Sequence, residues 1–406
     1  MRILAALFLT AAPAAAADWP QFLGPNRDNA TPEKVAPWAT PPKVVWKQPV
    51  GDAHSSPVVA DGVVYAFYQP RGKDADALAA YDARTGEPKW EKSYAREKYT
   101  PPFGKGPRST PCVAGGKVFT YGNTGVLACW DAKTGDTAWK VDTLAEFKAK
   151  NLFFGVSTSP IVEGKTVVVM VGGKGHGIVA FDTATGKPVW HATDDPASYS
   201  SPVAVGDGDR RELVFLTGAN LLGLSPAGEV RWTYPFRDRL NESSTTPVET
   251  GGLVVGGSVT AGSVGLKLTG SDGKEAAEKI WENDKLTCYF STPVPVGKYL
   301  YMVNGAATLL NPSITLRCVE TATGKVAWEK PDLGRYHAAL TRTGDDKLLM
   351  LDDNGYLTLL QPDPAGYKEL ARSKVCGPTW AHPALVDGRL YLRDEKELVC
   401  LELGGK

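Results

Sequence analysis

Cysteine and histidine are scarce in this chain, six and five residues, and their spacing decides what chemistry remains open. Six cysteines stand at Cys112, Cys129, Cys288, Cys318, Cys376 and Cys400, none beside another and none in a spacing that forms a zinc set. The glycine-rich stretch Gly172 to Gly177 (GGKGHG) resembles a phosphate loop but lacks the Lys-Ser/Thr ending. It also lies between two predicted strands, so no helix N-terminus is there to hold an anion. The stretch AGSVG around Ser263 lacks the first glycine of a nucleophile elbow and is likewise flanked by strands. Neither supports hydrolysis, and a hairpin turn explains the first.

What positions the remaining candidates is a repeat. A unit of the form S-x-P followed by apolar residues, a glycine turn, L-x-A-aromatic and then D-x-x-T-G-x-x-x-W recurs along the chain. Its clearest copies are SSPVVADGVVY with LAAYDARTGEPKW, STPCVAGGKVF with LACWDAKTGDTAW, and TSPIVEGKTVV with VAFDTATGKPVW. The anchors Pro57, Pro111, Pro160, Pro202, Pro247, Pro293, Ala339 and Pro383 mark eight units about 47 residues apart, the seventh aligned only to within a residue. That period with four strands per unit predicts an all-β, eight-bladed β-propeller of four-stranded blades. Trp90, Trp139, Trp190, Trp232, Trp281 and Trp328 fall at one register of the fourth strand and read as wedges between blades rather than as six cofactor sites. Cys129, Cys318 and Cys400 occupy the slot that holds Ala80 and Ala180 in other units, so they read as small buried strand residues. The pairing of Cys112, Cys288 and Cys376 stays open.

The ends of the chain predict how the ring closes. The last unit stops at LVCLELGGK without a fourth strand, whereas PPKVVWKQPVG ahead of the first unit is a fourth strand with its own wedge, Trp46. The N-terminal strand should therefore complete the last blade and remove an open edge. Removing residues 44–50 is accordingly expected to cost more stability than removing residues 18–25. Arg2, the apolar run to Ala16 and the small residues Ala15 and Ala17 predict a cleaved secretory signal over 1–17, followed by an N-terminal extension over 18–42 and the propeller over 43–406. No later stretch is apolar enough for a transmembrane anchor, so a soluble periplasmic or secreted monomer is expected.

In a propeller the connectors entering the innermost strands share one face with the turns between second and third strands. Here these carry the long insertions 91–108, 142–158 and 304–313. Three residues ahead of the anchors stand His54, Arg108, Ser157, Tyr199, Ser244, Phe290, Tyr336 and Trp380, with His337 and His382 close in register. An aromatic arc with one cation suits stacking on a sugar, peptide or ring ligand while holding a carboxylate or phosphate. The preferred reading of the same side chains is that they fill a narrowing channel, with the pocket as the alternative. His54, His337 and His382 lie at offsets three, two and one from their anchors, so they predict no metal site. The basic stretch Arg96, Lys98, Lys105 and Arg108 is partly balanced by Glu91 and Glu97 and reads as a solvated loop. Lys plus Arg equals Asp plus Glu at 45 each, which gives no basic surplus for nucleic acid.

The D-x-x-T-G-x-x-x-W units resemble PQQ-type propeller repeats, and from about Asp18 onward the chain resembles the secreted PQQ-like propeller proteins of bacteria. The stretches DWPQFLGPNRDN, GKGPRSTP and DDPASYSSP are similar to segments typical of that family. WD40 repeats fit less well, since Trp130-Asp131 is a single instance. The resemblance implies two possible jobs. One is quinoprotein dehydrogenation, with PQQ held against an adjacent Cys-Cys disulfide, a calcium-binding set of carboxylates and often a C-x-x-C-H haem site. The other is a non-catalytic scaffold of the BamB kind. With no adjacent cysteines and no C-x-x-C-H, the expectation is a scaffold for an unidentified protein, or a module binding a small polar or aromatic ligand, without a cofactor. A PQQ-dependent oxidoreductase is the alternative.

Overall fold

The computed structural model describes residues 18–270, 276–305 and 310–403; the predicted signal, 1–17, lies outside the described residues. Eight four-stranded antiparallel sheets follow one another as propeller blades. Blade one shows the plan, with strands Val58–Ala60, Val63–Tyr68, Ala75–Asp82 and Pro88–Ala95 in sequential order. Its first three strands are almost wholly buried because both faces pack on neighbouring blades, whereas the outer strand is mostly exposed. First strands of adjacent blades touch one another: Val58–Ala60 meets Cys112–Ala114 on one side and Ala384–Val386 on the other, which places them at the axis. Strand Lys43–Pro49 pairs antiparallel with Glu397–Glu402 as the outermost strand of blade eight, so the ring is closed by the N-terminal strand.

The tryptophan register has a simple geometric basis. In every blade the ladder between third and fourth strands carries a bulge at the same place. Trp46, Trp90, Trp139, Trp190, Trp232, Trp281 and Trp328 pair there with Cys400, Ala80, Cys129, Ala180, Gly223, Gly265 and Cys318, all small residues that leave room for the indole. Blade seven inverts the sizes, with Ala371 opposite Leu359. Several indoles also lie on the next blade's turn: a Cβ added at Gly86 would fall 2.6 Å from the Trp46 ring, and one at Gly324 would fall 2.6 Å from that of Trp281. Only glycine allows that approach, and both turns need its positive φ, 76° and 66°. Trp46, Trp139, Trp281 and Trp328 further donate Nε1–H to a carbonyl of that turn. The turns are held by their aspartates; Asp82 Oδ1, for example, accepts from the N–H groups of Arg84 and Thr85, both at 3.0 Å.

All six cysteines are free thiols, five buried and Cys376 half-buried. Two expectations change. Arg96 is not solvated: its guanidinium is fully buried, with Nε 2.9 Å from Asp76 Oδ1 and Nη2 donating to Gln69. The other concerns how far the N-terminal extension over 18–42 packs against the ring. Trp19 exchanges backbone hydrogen bonds with Val59 of blade one, Pro20 accepts from Val113 of blade two, and Asn29 and Thr31 bond Arg342 of blade seven. Between them Arg27, 2% exposed, donates to the carbonyls of Ser159, Pro160 and Pro202 in blades three and four. The segment thus crosses the axis and seals one end of the channel. Trp19→Ala should cost about 3 kcal/mol or more in denaturant unfolding, the usual penalty for truncating a buried aromatic. An unchanged midpoint would show that the segment contributes no stability.

Candidate functional site

Around the axis hydroxyls of most S-x-P motifs bond the neighbouring blade, while Thr246 Oγ1 is buried without a partner. The N–H of Ser56 donates to Thr110 Oγ1, that of Thr110 to Ser159 Oγ, and that of Ser159 to Ser201 Oγ, at 2.9–3.1 Å. On the far side Thr246 N–H donates to Thr292 Oγ1, Ala338 N–H to Ser291 Oγ, and His382 N–H to Ser56 Oγ. These amides enter the innermost strands with no strand inside them to pair with, so a side chain from the next blade satisfies them.

Above this girdle lies a cavity of about 480 Å³. Its wall includes all eight residues placed three ahead of the anchors, His54, Arg108, Ser157, Tyr199, Ser244, Phe290, Tyr336 and Trp380, together with His337 and His382. Phe22, from the segment that crosses the axis, lies at the base with its ring edge-on to His382 at 5.3 Å. The arc is continuous: His54 stacks with Trp380 at 5.1 Å, Trp380 with Phe290 at 5.0 Å, and Phe290 with Tyr289 at 3.7 Å. Channel filling and pocket therefore coexist, since the base and one wall are plugged by stacked rings while the space above stays open.

Several lining residues escaped the sequence reading. Phe103, Phe153 and Phe154 belong to insertions that were recognised, but no register singled them out. Leu240 and Glu242 come from the loop ordered by Asp238, whose carboxylate accepts from the N–H groups of Leu240, Glu242 and Thr260. Glu242 accepts from the Tyr289 hydroxyl. Asp353 similarly accepts from the N–H groups of Arg335 and Tyr336, which sets the entry of blade seven. Of the 304–313 insertion, residues 306–309 lie outside the described residues, and 311–313 line a separate shallow groove.

The electrostatics of the cavity are dominated by one cation. Arg108 Nη2 donates to Pro102 O at 2.9 Å, while Nη1 is buried without a partner. Among the described residues no carboxylate lies within ion-pair distance of it. Burial lowers its pKa to about 10, so it remains charged at neutral pH. Burial also pushes the His54 imidazole down to about 3, with nearby Arg108, Arg393 and His337 adding to the effect, and His337 down to about 4 against a weaker opposing pull from Asp353. His382, beside His337, is driven well below its ordinary value by burial. All three rings are neutral at pH 7.

Eight blades of one repeat, closed by the N-terminal strand and carrying an axial pocket sealed at one end, define an eight-bladed β-propeller of the PQQ-like type. The profile described as outer membrane protein assembly factor BamB matches residues 30–101 and 75–330, and the chain belongs to that family. Its backbone is similar to that of the quinohemoprotein alcohol dehydrogenase from Comamonas testosteroni, with 14% identity, TM-score 0.65, and coverage of 96% of this chain and 81% of the other. It is also similar to BamB from Moraxella catarrhalis, with 15% identity, TM-score 0.58, and coverage of 88% and 98%. A europium-containing methanol dehydrogenase aligns at 13% identity, TM-score 0.62, over 94% and 89%. These likenesses describe the fold. No curated protein matches the chain in sequence. No helix among the described residues is long and apolar enough to cross a membrane.

The buried imidazoles make stability depend on pH. Unfolded, each binds a proton near pH 6.5, and folded, His337 does so only near 4. Their contribution is therefore fully present above the unfolded value and is lost as pH falls through this window. The melting temperature should fall between about pH 7 and about pH 4.5, and fall less steeply for His337→Gln. Parallel profiles for the two proteins would remove His337 from the account.

Proposed function

We propose that this protein is a non-catalytic, extracytoplasmic binding module whose axial pocket takes a small ring-shaped ligand carrying an acidic group. The observation that carries the reading is Arg108, a cation in an aromatic cavity with an unpartnered Nη1 and, among the described residues, no carboxylate counter-ion. A desolvated charge is costly unless paired, and a ligand carboxylate would pair it. Arg393, also buried with a free Nη1, does not line the cavity. The signal-like sequence over 1–17 supports export.

Two of the similar structures are dehydrogenases, one of them a quinohemoprotein, which raises the question of PQQ with calcium. The residues present do not fit it. Among the described residues Glu242 is the one carboxylate of the cavity wall, and no cysteine lines it. Among the described residues no three His, Cys, Asp or Glu side chains converge on a metal-sized site. The rim gives one reason to keep a protein-scaffold role as the second reading: Phe103, Phe153 and Leu240 stand exposed at the mouth, Phe153 by 71%. Membership of an assembly-factor family favours the same reading.

Titration with 1-anilinonaphthalene-8-sulfonate, an aromatic anion, should give saturable fluorescence that other aromatic acids displace. Arg108→Ala should weaken binding about tenfold or more, as removal of a hot-spot arginine does, with little change in melting temperature. Equal binding by wild type and Arg108→Ala would overturn the pocket reading and leave the rim as the functional surface.

A further inference from the structure

The pocket offers its ligand two chemically different ends, and the second concerns His337 and His382. Both line the cavity, 2% and 5% exposed, with ring centroids 5.2 Å apart. His337 Nδ1 lies 3.1 Å from the carbonyl oxygen of Phe290, which can only accept, and 3.2 Å from Ser291 Oγ, which also accepts from the Ala338 N–H; a proton on His337 Nδ1 serves both contacts. Its Nε2 is then a lone-pair acceptor, and that atom is buried without a partner. Nδ1 of His382 is buried and unpartnered as well. Neither ring can gain its partner by taking up a proton, because burial strongly disfavours the charged form of both. The Glu242 carboxylate adds another acceptor to the wall.

Arg108 supplies N–H donors in blade two, and His337 supplies an acceptor in blade seven with the His382 imidazole beside it in blade eight. Aromatic rings line the wall between them: Phe154, Tyr199, Phe290 and Tyr336 along the arc from blade three to blade seven, and His54 and Trp380 along the shorter arc through blades one and eight. We propose that the ligand is a hydroxylated aromatic acid, with its carboxylate at Arg108, its ring between the aromatic walls, and a hydroxyl donating to the imidazole pair. The proposal rests on the ligand-binding reading above and narrows it. Although serine and threonine residues such as Ser157 and Ser244 contribute to the lining, its exposed surface is largely apolar and ringed by aromatic side chains, which suits the flat face of an aromatic ring. A site built to accept a hydrogen bond discriminates strongly against an analogue that lacks the donor, because its buried acceptor is then left unpaired.

Calorimetric titration of the full chain with 4-hydroxycinnamate, cinnamate, methyl 4-hydroxycinnamate and glucuronate tests this. 4-Hydroxycinnamate should bind about tenfold or more tighter than either cinnamate or the methyl ester, each of which leaves one end of the site unpaired. His337→Phe and, independently, His382→Phe should remove the preference over cinnamate while cinnamate itself still binds. Arg108→Gln should remove the preference over the ester. Melting curves identify any variant that fails to fold, and the wild-type comparison stands without the variants. Equal binding of 4-hydroxycinnamate and cinnamate by wild type would overturn the hydroxyl end and leave the acidic-ring reading in place. Tighter binding of glucuronate would overturn the aromatic class. Binding of none of the four, with anilinonaphthalenesulfonate still bound, would overturn this proposal alone, and loss of both would overturn it with the reading on which it rests.

Discussion

The structure depends on how the amides at the centre of the ring are satisfied. Eight first strands converge on the axis, and the N–H groups that lead into them have no further strand to pair with. An unpaired buried amide costs about 1–3 kcal/mol, so a ring of them would be prohibitive. Hydroxyls such as Thr110, Ser159 and Ser201 answer this from the next blade. Because each bond joins two blades, satisfying the amides also fixes the spacing of the blades around the axis. The recurrent S-x-P is thus a contact between repeats, and its spacing sets the width of the channel above which the pocket forms.

The outer radius is held by a different complementarity. A large indole on one strand faces a small residue on its partner, and the same indole covers the glycine of the neighbouring turn. The slot tolerates an exchange of sizes, since blade seven places Ala371 against Leu359 where the other blades pair tryptophan with glycine, alanine or cysteine. Three cysteines sit in this slot for their volume, and their thiols are free and buried there.

A propeller channel is open at both ends unless something closes it. Here the segment from Asp18 to the closing strand performs that task with Trp19, Phe22 and Arg27, whose guanidinium is pinned by carbonyls of blades three and four. The result is a chamber with one mouth. A fold shared with dehydrogenases and with BamB therefore supplies the walls, while the chemistry available depends on what projects into the chamber. Among the described residues those groups include a guanidinium, neutral imidazoles, the Glu242 carboxylate, serine and threonine hydroxyls and aromatic rings.

The propeller, the number of blades, the closing strand and the register of the tryptophans were legible in the sequence. Each follows from local rules that repeat: alternation, an Asx turn with glycine, and a period near 47 residues. The same register named His54, Arg108, Tyr199, Phe290, Tyr336 and Trp380, because a fixed offset in each repeat reaches the same height on the axis in every blade. What the repeat could not carry was anything that breaks it. Phe22 reaches the cavity from outside the repeats, Glu242 through a loop shaped by Asp238, and Arg96 leaves solvent because Asp76 and Gln69 wait for it across its own blade. Whether the aromatics filled the channel or enclosed a space also lay beyond the sequence. That depends on which rings stack on one another and where the crossing segment stops, and those are distances between residues far apart in the chain.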